Sequence, residues 1–288
     1  MHTLSVLTGD VGFTEGPRWR EGRLWFSEIA AGNAVKSVSL AGDLRTEVEV
    51  DDPRGSSGLG WTADGDLLFV SMSRGRLLRR SKDGAVHVHA DLSAISPWHW
   101  NDMVVDREGR AYVGEFGFDF DAAAAARGLE SIVANHPTGR LACVQPDGTT
   151  ELAAEDMHFP NGSVITPDGK TLIVAETFGA RLTAFDIGPK GRLSNRRVWA
   201  ALGPYLPDGI CLDADGAVWL GDPIAAKCVR VAEGGEVLEV IDTALPCFAC
   251  MLGGEVGRTL FMLTSPWSPG EKGRILMTEA DSPHAGCP

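Results

Sequence analysis

The chain has 288 residues, 35 of them Gly and 16 Pro, and its 39 Asp and Glu outnumber 26 Lys and Arg for a formal charge of −13. Glycine far above the average of roughly 7%, with proline near its average of roughly 5%, signals many tight turns rather than disorder. The acid excess, with no basic cluster to override it, sets nucleic acid aside as a partner, and no run approaches the roughly 18 apolar residues of a membrane span.

The opening stretch MHTLSVLTGDVGFTEGP has neither the basic nor the apolar segment of a secretory leader, so a soluble, cytoplasmic chain without a membrane partner is expected. At this length, with 44% hydrophobic residues, one all-β domain can bury a large core. The six cysteines (Cys143, Cys211, Cys228, Cys247, Cys250 and Cys287) read as buried free thiols. Cys247 and Cys250 form a single CxxC whose role the sequence leaves open.

In chain order, HTLSVLT is strand-like, and after it one pattern recurs six times: a polar residue, an apolar stretch, a glycine turn and a second apolar strand. The copies are EGPRWREGRLWFSEI from Glu15, SGLGWTADGDLLFVSMS from Ser57, NDMVVDREGRAYVGEF from Asn101, NGSVITPDGKTLIVAET from Asn161, DGICLDADGAVWLGDP from Asp208 and ACMLGGEVGRTLFMLTS from Ala249. Their turn glycines, Gly22, Gly65, Gly109, Gly169, Gly216 and Gly257, are spaced by 43, 44, 60, 47 and 41 residues. A period of roughly 40 to 50 residues built on hairpins is the signature of four-stranded propeller blades.

The expected fold is therefore all-β, a single six-bladed β-propeller over 1–288, with hairpins near 15–28, 57–73, 101–115, 161–176, 208–222 and 249–264. The ring should close by the N-terminal strand joining the last blade, which removes exposed sheet edges. The longest spacing contains DFDAAAAARGLES, so an insertion at about 116–139 is expected to form a lid carrying a short helix.

The first strand of each blade faces the central channel, so the polar residues that open the repeats converge on one axis. Glu15, Asn101, Asn161 and Asp208 are then four oxygen donors in one space. Such donors suit a hard divalent cation such as Ca²⁺ or Mg²⁺, with Mn²⁺ and Zn²⁺ as alternatives. Taken singly, each is also an ordinary turn former. The return strands end near the same face in Glu28, Ser73, Glu115, Glu176 and Asp222, either supporting groups or solvated rim charges.

EGP at Glu15, the Asn-Asp-Met step at Asn101, PNG around Asn161 and PDG around Asp208 resemble the regucalcin, gluconolactonase and luciferin-regenerating enzyme family of six-bladed propellers, in order along essentially the whole chain. The resemblance implies one divalent metal held by residues matching Glu15, Asn161 and Asp208, with Asn101 beside the metal or substrate. It also implies hydrolysis of a lactone, with esters and phosphotriesters as alternative substrates. A non-catalytic small-molecule or metal-binding propeller is the rival reading from another class.

One position departs from the family pattern: two places before Asn101, where sugar-lactone-hydrolysing members carry Arg, stands His99. Trp98 and Trp100 flank it, and Phe116, Phe118 and Phe120 lie in the insertion. These aromatics suggest a more apolar or aromatic ring in place of gluconolactone, although the indoles serve equally well as anchors between blades. The expected substrate-binding set is Asn101, His99, Trp98, Trp100, Glu115 and Phe118. Asp208 is expected to ligate and to accept a proton from water, with His99 as a second acid or base. A small-molecule lactone or ester is the expected partner, and the chain is expected to be a monomer or homodimer.

Overall fold

A computed structural model describes residues 2–29, 32–267 and 271–286, so Cys287 lies outside the described residues. Among the described residues, twenty-four strands form six four-stranded antiparallel sheets, each following the chain from inside to outside except the last. The inner strands are Phe13–Arg20, Ser56–Trp61, Trp100–Val105, Pro160–Ile165, Ile210–Leu212 and Cys247–Gly253. Each packs against the inner strands of the blades before and after it, and the sixth packs against the first, which makes a six-bladed propeller.

Burial falls from the axis outwards, and the sequence carries that gradient. Pro160–Ile165 is buried at every position, whereas the outer strand Val237–Asp242 buries only Ile241 and exposes Val237, Leu238 and Val240. Inner strands are covered on both faces by neighbouring blades, so their apolar residues run continuously rather than alternating. The last blade is completed by Ser5–Val11, which pairs antiparallel with Gly273–Glu279 in a register that sets Ser5 opposite Met277. Trp19 of the first blade stacks on Phe261 of the last with ring centroids 5.4 Å apart, so the same seam is also closed by packing.

The six turn glycines all have φ between 72° and 86°, the left-handed region that a tight hairpin turn demands. After Glu115 the chain leaves the ring and forms two short helices, α1 (Phe120–Arg127) and α2 (Leu129–Ala134). Asp119 caps α1 by accepting the N–H of Ala122 at 3.0 Å. α1 buries no residue of its own, while Phe116 and Phe118 before it and Ile132 of α2 pack into an aromatic cluster with Phe159. The five described cysteines are buried and free.

Candidate active site

Five of the six inner strands carry a register shift close to their start, spanning Glu15 to Arg18, Ser56 to Leu59, Trp100 to Met103, Pro160 to Ser163 and Cys247 to Ala249. An inserted residue breaks the alternation of a strand and re-aims a side chain. In the first, third and fourth blades the shifts contain Glu15, Asn101 and Asn161. Asp208 lies just ahead of the fifth inner strand, held by its own N–H to Gly221 O at 2.9 Å.

The glycines that follow these residues are required by the ring rather than by turns. A Cβ on Gly162 would sit 2.5 Å from the backbone nitrogen of Ile210, and one on Gly209 would sit 2.4 Å from Ala249 Cβ. Adjacent inner strands thus approach so closely at this end of the channel that only glycine fits between them.

Glu15, Asn101, Asn161 and Asp208 are each 5–8% exposed and share the floor of one cavity of about 140 Å³. Their amides differ in state. Asn101 is spoken for: its Nδ2 donates to Pro160 O at 3.2 Å and its Oδ1 accepts from Ser57 Oγ at 3.3 Å. The Nδ2 of Asn161 donates to Thr177 Oγ1 at 3.3 Å, and Thr177 donates to Pro207 O at 2.7 Å. Asn161 Oδ1 and Asp208 Oδ1 are left buried without a hydrogen-bond partner. Buried polar atoms are normally paired, so two orphaned oxygens in one cavity point to something that binds there.

The charges agree with that. Burial pushes the Glu15 carboxyl well above the usual carboxylate range, and the charges of Asp208 and Asp102 push it further. Burial, then Asp102 and Asp222, raise Asp208 in the same way. Asp102 is 3.5 Å from Arg18, and both are buried. Glu15, Asp102 and Asp208 thus set three carboxylates against the single guanidinium of Arg18, an excess of two negative charges, which a divalent cation would balance. Among the described residues no three His, Cys, Asp or Glu side chains are placed to hold a cation by themselves, so a cation here must also draw on amide oxygen.

The acids ending the return strands pin loops instead of facing the cavity. Glu28 accepts the N–H of Gly12 at 2.7 Å, Glu176 that of His158 at 2.7 Å, and Asp222 those of Leu206, Ile224 and Ala225 at 2.9–3.0 Å. Glu115, expected to touch substrate, belongs to this group: its carboxylate accepts the N–H of Gly117 and is 1% exposed, outside the cavity lining.

Other expected substrate contacts also fall elsewhere. Trp100 is fully buried in the core between the second and third blades, and Trp98 is 41% exposed; neither lines the cavity. His99 lies behind the wall, its ring edge-on to Phe116 with centroids 6.1 Å apart. Burial and the nearby Arg54 lower its pKa, so it is neutral near pH 7. Phe118 packs in the aromatic cluster one layer back.

The walls are instead built by Phe116 and Phe120 from the insertion, Phe159 and Phe178 from the fourth blade, and Phe248 and Trp267 from the sixth. Phe116 and Phe159 stack at 4.5 Å, and Phe159 and Phe178 lie 4.4 Å apart. Phe159 pays for this position with a left-handed φ of 61°, of order 1 kcal/mol or more for a bulky residue. Among the described residues, Arg54 is the only cationic one lining the cavity. The sequence reading missed it because it lies on a connecting loop outside the repeated hairpin.

A closed six-bladed ring with one apolar cavity over an acid-and-amide floor defines a propeller of the small-molecule enzyme class. Residues 13–266 match the model of the SMP-30/Gluconolactonase/LRE-like region, and the chain belongs to that family. It is similar to regucalcin of Xenopus laevis, 27% identical over 83% of this chain and 79% of that protein, and to the pentonolactonase of Haloferax volcanii, 28% identical over 71% and 65%. Among solved structures, the gluconolactonase of Xanthomonas campestris superposes with a TM-score of 0.76 at 24% identity, covering 98% of this chain and 90% of that one.

Proposed function

We propose that this protein is a divalent-metal-dependent hydrolase that opens a largely apolar lactone. The observation that carries this reading is the pair of orphaned buried oxygens, Asn161 Oδ1 and Asp208 Oδ1, on the floor of an aromatic-walled cavity beside Glu15. The family membership and the likeness to a protein named pentonolactonase support lactone hydrolysis.

Glu15, Asn161 and Asp208 would hold the cation, and their hard oxygens favour Ca²⁺, with Mg²⁺, Mn²⁺ or Zn²⁺ as alternatives. When bound, such a cation polarises a carbonyl and acidifies a water. Asn101, whose amide is already committed to Ser57 and Pro160, would present an ordered polar surface to the lactone oxygens. Asp208 would also be the carboxylate placed to take a proton from the attacking water. The aromatic walls exclude bulk water and seat the ring of the substrate. His99, expected as a second acid or base, is left out because it does not reach the cavity.

The test is hydrolysis of a panel of lactones and aryl esters by chelator-stripped protein, before and after adding Ca²⁺, Mg²⁺, Mn²⁺ or Zn²⁺. Activity should vanish on stripping and return with a divalent ion. Turnover that survives exhaustive chelation and Asp208→Ala overturns the reading.

A further inference from the structure

One side chain breaks the apolar wall. Arg54 lines the cavity from the loop that enters the second inner strand, its side chain 23% exposed. The guanidinium carbon lies 5.2 Å from the centroid of the Phe116 ring, and Nη1 pairs with Asp121 in the first turn of α1.

The loop beneath it is rigidly set. Asp52, 3% exposed, accepts the backbone N–H of Arg54 at 2.8 Å, the hydroxyl of Ser71 at 2.6 Å and that of Ser73 at 2.5 Å. Burial alone would raise the Asp52 pKa, but these bonds outweigh it and hold the carboxyl low, so the anchor stays ionised at neutral pH. Arg54 is thus a preorganised donor, and a guanidinium carries five N–H groups in a fixed fork. Asp121 takes one of them and is itself 56% exposed. The aromatic wall offers no acceptor to the rest.

We propose that Arg54 is a specificity determinant: it donates to an uncharged acceptor oxygen, such as an ether, ketone or hydroxyl, on a largely apolar lactone whose reacting carbonyl lies over the floor. The inference rests on the lactone reading for its chemistry and adds the class of substituent.

Charge argues for a neutral acceptor. The carboxylates of Asp52, Asp119 and Asp121 already act on or near Arg54, so an anionic substituent would meet more negative than positive charge. The walls argue against an unmodified sugar ring. A polyol needs a partner for each hydroxyl, and Phe116, Phe159, Phe178 and Met72 supply none. Each hydroxyl buried unpaired costs about 1–3 kcal/mol.

The experiment uses the full chain loaded with a divalent cation and three sets of probes: 3,4-dihydrocoumarin, its ring-methoxy isomers and its ring-carboxylate isomers. The parent should prefer at least one methoxy isomer over the bare ring by about 10-fold in kcat/KM, the worth of one good hydrogen bond to a charged donor. Arg54→Met keeps the apolar stem and should abolish that preference through KM, leaving the bare ring within about 3-fold. Asp121→Ala removes the tie to α1 and should leave the preference intact.

An unchanged preference in Arg54→Met, or an equal loss on every lactone in both variants, overturns the proposal. So does a carboxylate isomer that outperforms every neutral one. If the parent hydrolyses none of the probes, the lactonase reading fails separately. Calorimetric binding of the same compounds then still tests Arg54: a methoxy isomer that binds about 10-fold more weakly to Arg54→Met supports its role, and equal binding overturns it.

Discussion

Thr177 decides which way Asn161 points. Its hydroxyl donates to Pro207 O at 2.7 Å, so toward Asn161 it can only accept, and it takes the amide N–H at 3.3 Å. The oxygen of Asn161 is thereby turned away from Thr177 and left buried and unpartnered. Groups that orient a ligand commonly matter about 10–100-fold to metal affinity. Thr177→Val, which keeps the shape and removes the hydroxyl, should weaken Ca²⁺ binding by about that factor in a calorimetric titration, while Thr177→Ser retains it. Equal affinity in the valine variant would show that Asn161 does not need this hydroxyl, or does not bind the ion.

The floor acids impose a cost on the metal-free chain. Asp208 is buried, and burial and the charges of Asp102 and Asp222 raise its pKa. A carboxyl whose folded pKa is raised binds its proton more tightly when folded. The metal-free protein therefore loses stability as pH rises from the ordinary carboxylate value toward the folded one. Asp208→Asn removes the charge and should stabilise the chelated protein at pH 7.5 by about 1–3 kcal/mol in urea unfolding, while abolishing lactone hydrolysis. A destabilised metal-free variant would refute this account of the floor.

How much of this was legible beforehand depends on which residues the repeat controls. The turn glycines and the residues opening the inner strands recur with the blade, so Glu15, Asn101, Asn161 and Asp208 could be placed in one space from spacing alone. The walls could not. Phe159 and Phe178 lie just outside the fourth hairpin, and Arg54 lies on a loop set by Asp52 rather than by any period. The stretch from Trp98 to Asn101 misled for a local reason. A register shift between Trp100 and Met103 breaks the strict alternation of a strand there, so neighbouring residues cannot be assigned to faces by counting. Trp100 turned into the core and Trp98 outwards.

That stretch also bears on His99, the residue at the place of the family's arginine. It stands behind Phe116 and is kept neutral near pH 7 by burial and Arg54. His99→Gln should leave kcat within about 3-fold of the parent, because a general acid or base contributes about 10²–10⁴-fold when it takes part. The pH profile of kcat/KM should be the same for both proteins. A fall of about 100-fold, or loss of a limb in the profile, would return His99 to the chemistry.

Glu176 offers a stability test away from the floor. It is fully buried and accepts from the backbone of His158 at 2.7 Å, from Arg181 Nε and Nη2 at 3.0 Å each, and from Thr183. Burial alone would raise its pKa, but the hydrogen bonds of Arg181, Thr183 and His158 outweigh it and hold the carboxyl below its ordinary 4.5. A depressed carboxyl contributes stability that is complete above the ordinary value and is lost as pH falls through the folded one. The arginines are partly exposed, so solvent screens the pair. Glu176→Gln should therefore cost about 1–3 kcal/mol at pH 7, less than a fully buried pair would. Urea unfolding of both proteins from pH 7 down to pH 3.5 should show the gap closing below the ordinary carboxylate value. A gap that stays constant over that range would mean that Glu176 supports the fourth blade through shape alone.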